Sequence, residues 1–171
     1  MLKGTYINFT EAEVNKARAI AKARFESNRK ANSPHLKMTE HLSALPYFGD
    51  IVGLLGELAV AKHLNLESST KFLYGQQEFS KIKHTICDVG SLEVRASHYK
   101  TGCLIIHPKD LKNKYNTPFV FVSVDLTRNR ACIVGWLTPK EAEAVGEWRE
   151  YFTTDLYVKQ ELLRPLEKLN Y

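Results

Sequence analysis

The chain has 171 residues, 44% hydrophobic and 25% charged, a composition that suits one folded domain with a real core. No apolar run approaches the roughly 18 residues of a membrane helix, and the opening MLKGTYINFTEAEV has neither an apolar core nor a small-residue cleavage site. The expectation is a cytoplasmic protein with no membrane contact, whose net charge of +5 permits a nucleic-acid partner without demanding one.

The first predicted element is a helix. Thr10 followed by Glu13 has capping-box spacing, and Val14, Ala17, Ala21 and Phe25 recur at helical intervals. Off that stripe lies a basic run, Lys16, Arg18, Lys22, Arg24, Arg29, Lys30 and Lys37, against one acid, Glu26. It reads either as a solvated face or as a nucleic-acid contact, with Arg18, Lys22, Arg29 and Lys30 as the candidates. Residues 28–34 end the helix, since Pro34 disfavours helix at the residue before it.

A second helix is predicted over 50–64, apolar over more than half its circumference and therefore well buried. Gly53 and Gly56 weaken it by roughly 1 kcal/mol each relative to Ala, which makes sense if something packs close to the backbone. Glu57 is the acid in the middle of this apolar run. Tyr47 and Phe48, just before it, read as core or staple residues.

Beyond residue 72 the period shifts toward strands. Residues 79–86 alternate weakly. Strands are predicted over 85–89 and 92–96, joined by a tight turn at Gly90-Ser91, then over 104–106, 119–125 and 131–136. The polar stretch 109–115 reads as a short helix or turn, and 127–130 as a hairpin connection. Pro139 opens a helix expected to reach Trp148, followed by an extended segment and a turn-like end. The order gives an α/β or α+β fold, one domain with a mixed sheet flanked by helices. Trp136 and Trp148 both read as core. Cys87, Cys103 and Cys132 lack any disulfide or zinc spacing and read as buried reduced thiols in the sheet.

The stretch CDVGSLEVRAS carries the chemistry. Asp88 ends one strand and Glu93 enters the next, with Arg95 on the same side as Glu93 because side chains alternate along a strand. Two neighbouring carboxylates repel unless a cation, a proton or solvent relieves them. Mg²⁺ is commonly held by one or two carboxylates, waters and substrate phosphate. Glu57 is a third acid within reach of such a site, and burying it without a partner would be costly. A solvated hairpin with a Glu93–Arg95 pair remains the plain alternative. No phosphate-loop, dinucleotide or serine-hydrolase motif is present. His84, His98 and His107 flank the strands without zinc spacing and read as surface or packing residues; His98, with Lys100, is the best placed of them for substrate contact.

These residues resemble the PD-(D/E)xK nuclease superfamily, with its helix–strand–strand–strand–helix–strand core. GLLGELAVAKHL is similar to the family's helix motif, Asp88 to its Asp, and Glu93-Val94-Arg95 to its Glu-x-Lys. The core resemblance spans residues 48–137. A looser likeness to a phage-type branch lies in Gly135-Trp136, Tyr157-Val158-x-Gln160 and Leu163-Arg164-Pro165-Leu166. It implies a restriction-endonuclease-like domain over 1–171, with a helical extension over 1–46, a core over 47–137 and a C-terminal helix and tail over 138–171. It implies Glu57, Asp88 and Glu93 as metal ligands for Mg²⁺ or Mn²⁺, Arg95 as their catalytic partner and DNA as the substrate; since one 171-residue domain grips only a limited site, a homodimer would suit duplex cleavage. Two positions depart from the pattern. Cys87 stands where the family has Pro, and Arg95 stands where it has Lys. Arg stays protonated and can bind phosphate as a fork, but it cannot serve as a general base. Either a divalent ion alone activates the attacking water, or Lys100 or another cation takes the lysine's part, or catalysis is lost and a DNA-binding or protein-interaction module remains. An unrelated α+β domain with solvated hairpin acids is the third possibility.

Overall fold

The computed structural model describes residues 3–30, 46–66 and 87–169. Among the described residues, four helices and two sheets make a mixed α+β fold. The first sheet has the order β1-β5-β4-β2, with β1 Thr5–Asn8, β2 Glu93–Ser97, β4 Phe119–Asp125 and β5 Arg130–Leu137. It is mixed, because β2 runs parallel to β4 while the other pairs are antiparallel. The second has the order β3-β7-β6, all antiparallel, with β3 Leu104–Ile106, β6 Glu147–Glu150 and β7 Thr154–Val158.

β4 explains the layering. Its sequence FVFVSVD is buried almost throughout, as a strand covered on both faces must be. Period-two alternation sends Val120, Val122 and Val124 to one face and Phe119 and Phe121 to the other. The valine face receives helix α2, Phe48–His63, with α1, Glu11–Lys30, packed outside it. The phenylalanine face meets Leu104, Ile106, Leu156 and Val158 of the second sheet, with Ala142 of helix α4, Pro139–Val145. Two hydrophobic clusters therefore lie on opposite sides of one sheet.

The N-terminal segment is built into this fold. Thr10 caps α1 as its spacing predicts: the Glu13 N–H donates to Thr10 Oγ1 at 3.2 Å, and Glu13 Oε2 accepts from the Thr10 N–H at 2.7 Å. Val14, Ala17 and Ala21 are buried against α2, and Phe25 packs on Tyr47. Lys62 of α2 reaches back to Glu13 at 2.8 Å and to the Asn8 carbonyl at 3.1 Å. Burial pushes the Glu13 carboxyl up, but Lys62 and the Thr10 donors outweigh it, so its pKa is lowered. Gly56 is where close packing occurs: a Cβ there would stand 2.6 Å from Ala96 Cβ. Gly53, expected to share that role, has nothing within 4 Å.

Several expectations are corrected. The strand at 104–106 joins the second sheet rather than the first, because its two inward residues fill the phenylalanine-face cluster. The helix from Pro139 stops at Val145, and Trp148 lies in β6, 52% exposed, not in the core. Trp136 is buried as expected. β1 pairs with β5, a strand not anticipated from the sequence although Thr5, Tyr6 and Ile7 are all strand formers. All three cysteines are free, but only Cys132 is a buried strand residue; Cys87 and Cys103 sit half-buried outside the strands. The weak alternation over 79–86, the start of the strand predicted over 85–89, and His84 and Lys37 lie outside the described residues, as do the side chains of Arg29 and Lys30. Among the described residues no helix is long and apolar enough to cross a membrane.

Candidate functional site

The acidic turn forms as its sequence suggests. Val89 and Leu92 exchange backbone hydrogen bonds of 3.0 and 2.8 Å across Gly90-Ser91, and Gly90 takes a φ of 56°, which glycine adopts without strain. Asp88 then folds over the start of β2: its Oδ2 accepts from the Val94 N–H at 2.9 Å. This bond holds Asp88 one residue from Glu93. Both carboxylates are buried, and both act on the Cys87 thiol. Its pKa is raised, first by burial and then by Glu93, with Lys114 opposing and Asp88 adding a smaller push.

Glu93 and Arg95 project from the face of β2 opposite α2. Lys114 Nζ donates to Glu93 Oε1. The Arg95 guanidinium lies 3.8 Å from the other oxygen of Glu93 and donates to Asp110 Oδ2 at 2.9 Å, with its Cζ 4.9 Å from the centre of the Phe119 ring. Asp110 sits in helix α3, Pro108–Asn113, and also accepts from the His107 N–H at 3.0 Å. The result is a Glu–Arg–Asp chain of two buried carboxylates and a half-buried arginine, with a lysine at one end. Asp110 and Lys114 escaped the sequence reading. Asp110 carries a usable signal, an acid three residues after the helix-capping position with Pro at the helix start. Lys114 has none, since Lys109 and Lys112 beside it look the same.

Glu57 belongs to the other layer. Gly56, next to it, packs on Ala96, so α2 covers the face of β2 away from Glu93. Its neighbourhood is shared with Arg24 of α1. Burial lowers the Arg24 pKa, and the fields of Glu57, Asp50 and Asp88 oppose that change. Asp88 is thus the link, acting on Arg24 together with Glu57 and on Cys87 together with Glu93. Among the described residues no group of three or more His, Cys, Asp or Glu side chains could hold a metal ion. The three carboxylates therefore do not form one cage. A hard ion that takes one or two carboxylates and keeps its waters does not need such a cage.

The basic candidates divide by face. Arg18 and Lys22 are exposed on α1, on the α2 side of the sheet; Lys22 comes within 4.0 Å of Glu26. His98 and Lys100 are exposed in the loop after β2. His98 packs edge-on against Phe48 with centroids 5.0 Å apart, and its ring lies 3.8 Å from that of Tyr99. Gln160 Nε2 donates to the Lys100 and Gly102 carbonyls at 2.8 and 2.7 Å, which fixes this loop to the C-terminal tail. The tail is itself docked: Trp136 and Arg164 exchange backbone hydrogen bonds of 2.9 and 3.1 Å, and the Arg164 guanidinium lies 3.7 Å over the Trp136 ring.

His107 is more than a packing residue. Its Nδ1 lies 2.7 Å from Asp155 Oδ1, and the Thr153 hydroxyl donates to Asp155 Oδ2 at 2.5 Å. Burial pushes the Asp155 carboxyl up, but Thr153 and His107 outweigh it and the net shift is downward. Arg95, His107 and Arg149 line a cavity of about 480 Å³ with Tyr99 and Tyr157. No family model, curated protein or solved structure matches this chain.

Proposed function

We propose that the protein is a metal-dependent nuclease acting on DNA, with its centre at Asp88 and Glu93. The observation that carries this reading is the turn that fixes Asp88 on the Val94 N–H at the start of β2, next in sequence to a buried Glu93 that carries Lys114 Nζ. Lys114 answers the main departure from the family pattern, since it supplies beside the glutamate the ammonium that Arg95 cannot. Mg²⁺ or Mn²⁺, when bound, would polarise the scissile phosphate and lower the pKa of the attacking water. The protein's own groups do the rest. Asp88 and Glu93 would hold the ion, Arg95 offers its unengaged N–H donors to a phosphate oxygen, and Lys114 sets its ammonium beside Glu93, where it would stabilise charge developing on the phosphate. Glu57 is left to balance Arg24 between α1 and α2.

A second reading is favoured by the same contacts. Lys114 and Arg95 already neutralise Glu93, and Arg24 already stands near Glu57 and Asp88. Cations built into the chain would then replace the metal, leaving a nucleic-acid-binding or protein-interaction module. Cleavage of linear, circular and single-stranded DNA with Mg²⁺, Mn²⁺ or EDTA separates the two. Metal-dependent cutting, lost in Glu93→Gln and reduced at least about a hundredfold in Lys114→Met as expected for a charge-stabilising group, supports the nuclease. Salt-sensitive binding without cutting under any ion establishes the second reading.

A further inference from the structure

We infer that the cavity at the far end of β2 holds an unpaired nucleotide, so that the strand presented to the acidic turn is single-stranded. This rests on the nucleic-acid reading above and adds the form of the substrate. The cavity lies on the same sheet face as Glu93. It begins at Arg95 and passes Ser97, about 13 Å along the strand from Glu93 at 3.3 Å per residue. Its lining holds two arginines and a histidine and no carboxylate. Its volume of about 480 Å³ falls within the usual range of small-ligand sites, roughly 300–1,000 Å³.

Aromatic rings stand where a base would stack. Tyr99 is 64% exposed at the mouth, and the Arg149 guanidinium lies 5.4 Å from the Tyr157 ring. Tyr151 meets Tyr157 edge-on at 5.7 Å, and Tyr151 and Phe152 stand 68% and 77% exposed at the tip of the β6–β7 hairpin. Rings interleaved with arginines are the arrangement that grips unpaired bases and their phosphates. Rings continuing outward from the cavity favour a strand over a free nucleotide. The mouth is also preformed. The Tyr99 N–H donates to Ser97 Oγ at 3.1 Å, the Gly102 N–H to the Tyr99 carbonyl at 3.1 Å, and Gln160 clamps the loop from the tail. A loop ordered before binding loses less entropy on binding.

The test is fluorescence anisotropy in EDTA, where no cleavage intervenes. The probes are a labelled single-stranded oligonucleotide, its duplex and the same strand with abasic sites, with a mononucleotide as competitor. The single strand is expected to bind about tenfold or more tighter than the duplex or the abasic strand. Tyr99→Ala should weaken it by about tenfold, while Tyr99→Phe retains it. Arg149→Gln should lower the salt slope by about 0.7. The loop bonds of Tyr99 are made by its backbone, so a thermal melt of Tyr99→Ala should shift by no more than the loss of its ring contact with His98. Equal binding of duplex or abasic strand, or indifference to Tyr99→Ala, overturns the inference. So does a mononucleotide that competes as well as the strand. The Glu93→Gln cleavage assay is read separately, so the cavity can fail while the nuclease reading stands.

Discussion

The two faces of the four-stranded sheet are made by the same strands and do different work. On the α2 face, Val94, Ala96, Val120 and Val122 meet leucines and alanines, and Gly56 brings helix and strand together. On the other face, the residues alternating with these are Glu93, Arg95, Phe119 and Phe121, and the cover is a small sheet that leaves a cavity beside Arg95. One face excludes water and fixes the strands; the other spends its positions on buried charges held by one another. The charged face is the one with groups to offer a ligand, because a buried charge keeps its place only while it stays paired.

Deep truncations test this division most severely. Phe121→Ala should cost about 3–5 kcal/mol in denaturant unfolding and should also weaken oligonucleotide binding, since Phe121 lines the cavity. Leu55→Ala, fully buried on the helix side, should cost about 2–5 kcal/mol with binding unchanged once the variant is folded. Equal loss of binding in both would erase the distinction between the faces. The glycines of α2 give a smaller and opposed pair. Gly56→Ala should lose about 1–3 kcal/mol by overpacking on Ala96, whereas Gly53→Ala should gain about 1 kcal/mol of helix propensity. Matching shifts in the two midpoints would contradict the packing described for Gly56.

Acid titration compares one carboxylate from each side. Glu13, tied to Lys62, and Asp155, tied to His107 and Thr153, both have folded pKa values below their ordinary 4.5 and 3.8. Each therefore stabilises the fold above its unfolded pKa, and that contribution is lost as pH falls through the folded value. Unfolding measured from pH 6 down to pH 2 should show stability falling below about pH 4.5, with a shallower fall in Glu13→Gln and in Asp155→Asn. A steeper fall in either variant would mean the sign is wrong.

The sequence alone determined the local parts. Thr10 with Glu13, the Gly90-Ser91 turn, the doubly buried FVFVSVD strand and the apolar helix were all legible, because capping, turn chemistry and periodicity are short-range. It also singled out Asp88, Glu93 and Arg95 as neighbours, since five or so residues of strand and turn decide that. Tertiary structure decided the rest. Whether residues 104–106 extend the first sheet or found a second depends on which cluster Leu104 and Ile106 fill, and a three-residue strand carries no record of its partner. Trp148 lies on the surface because β7 pairs with the strand that bears it. Glu57 falls away from Glu93 because strand alternation puts α2 on the opposite face, and the lysine beside Glu93 turns out to be Lys114, brought from beyond α3. Charges separated in the chain reveal their partners only when the fold closes, because ion pairing depends on distance in space and leaves no periodic trace in the sequence.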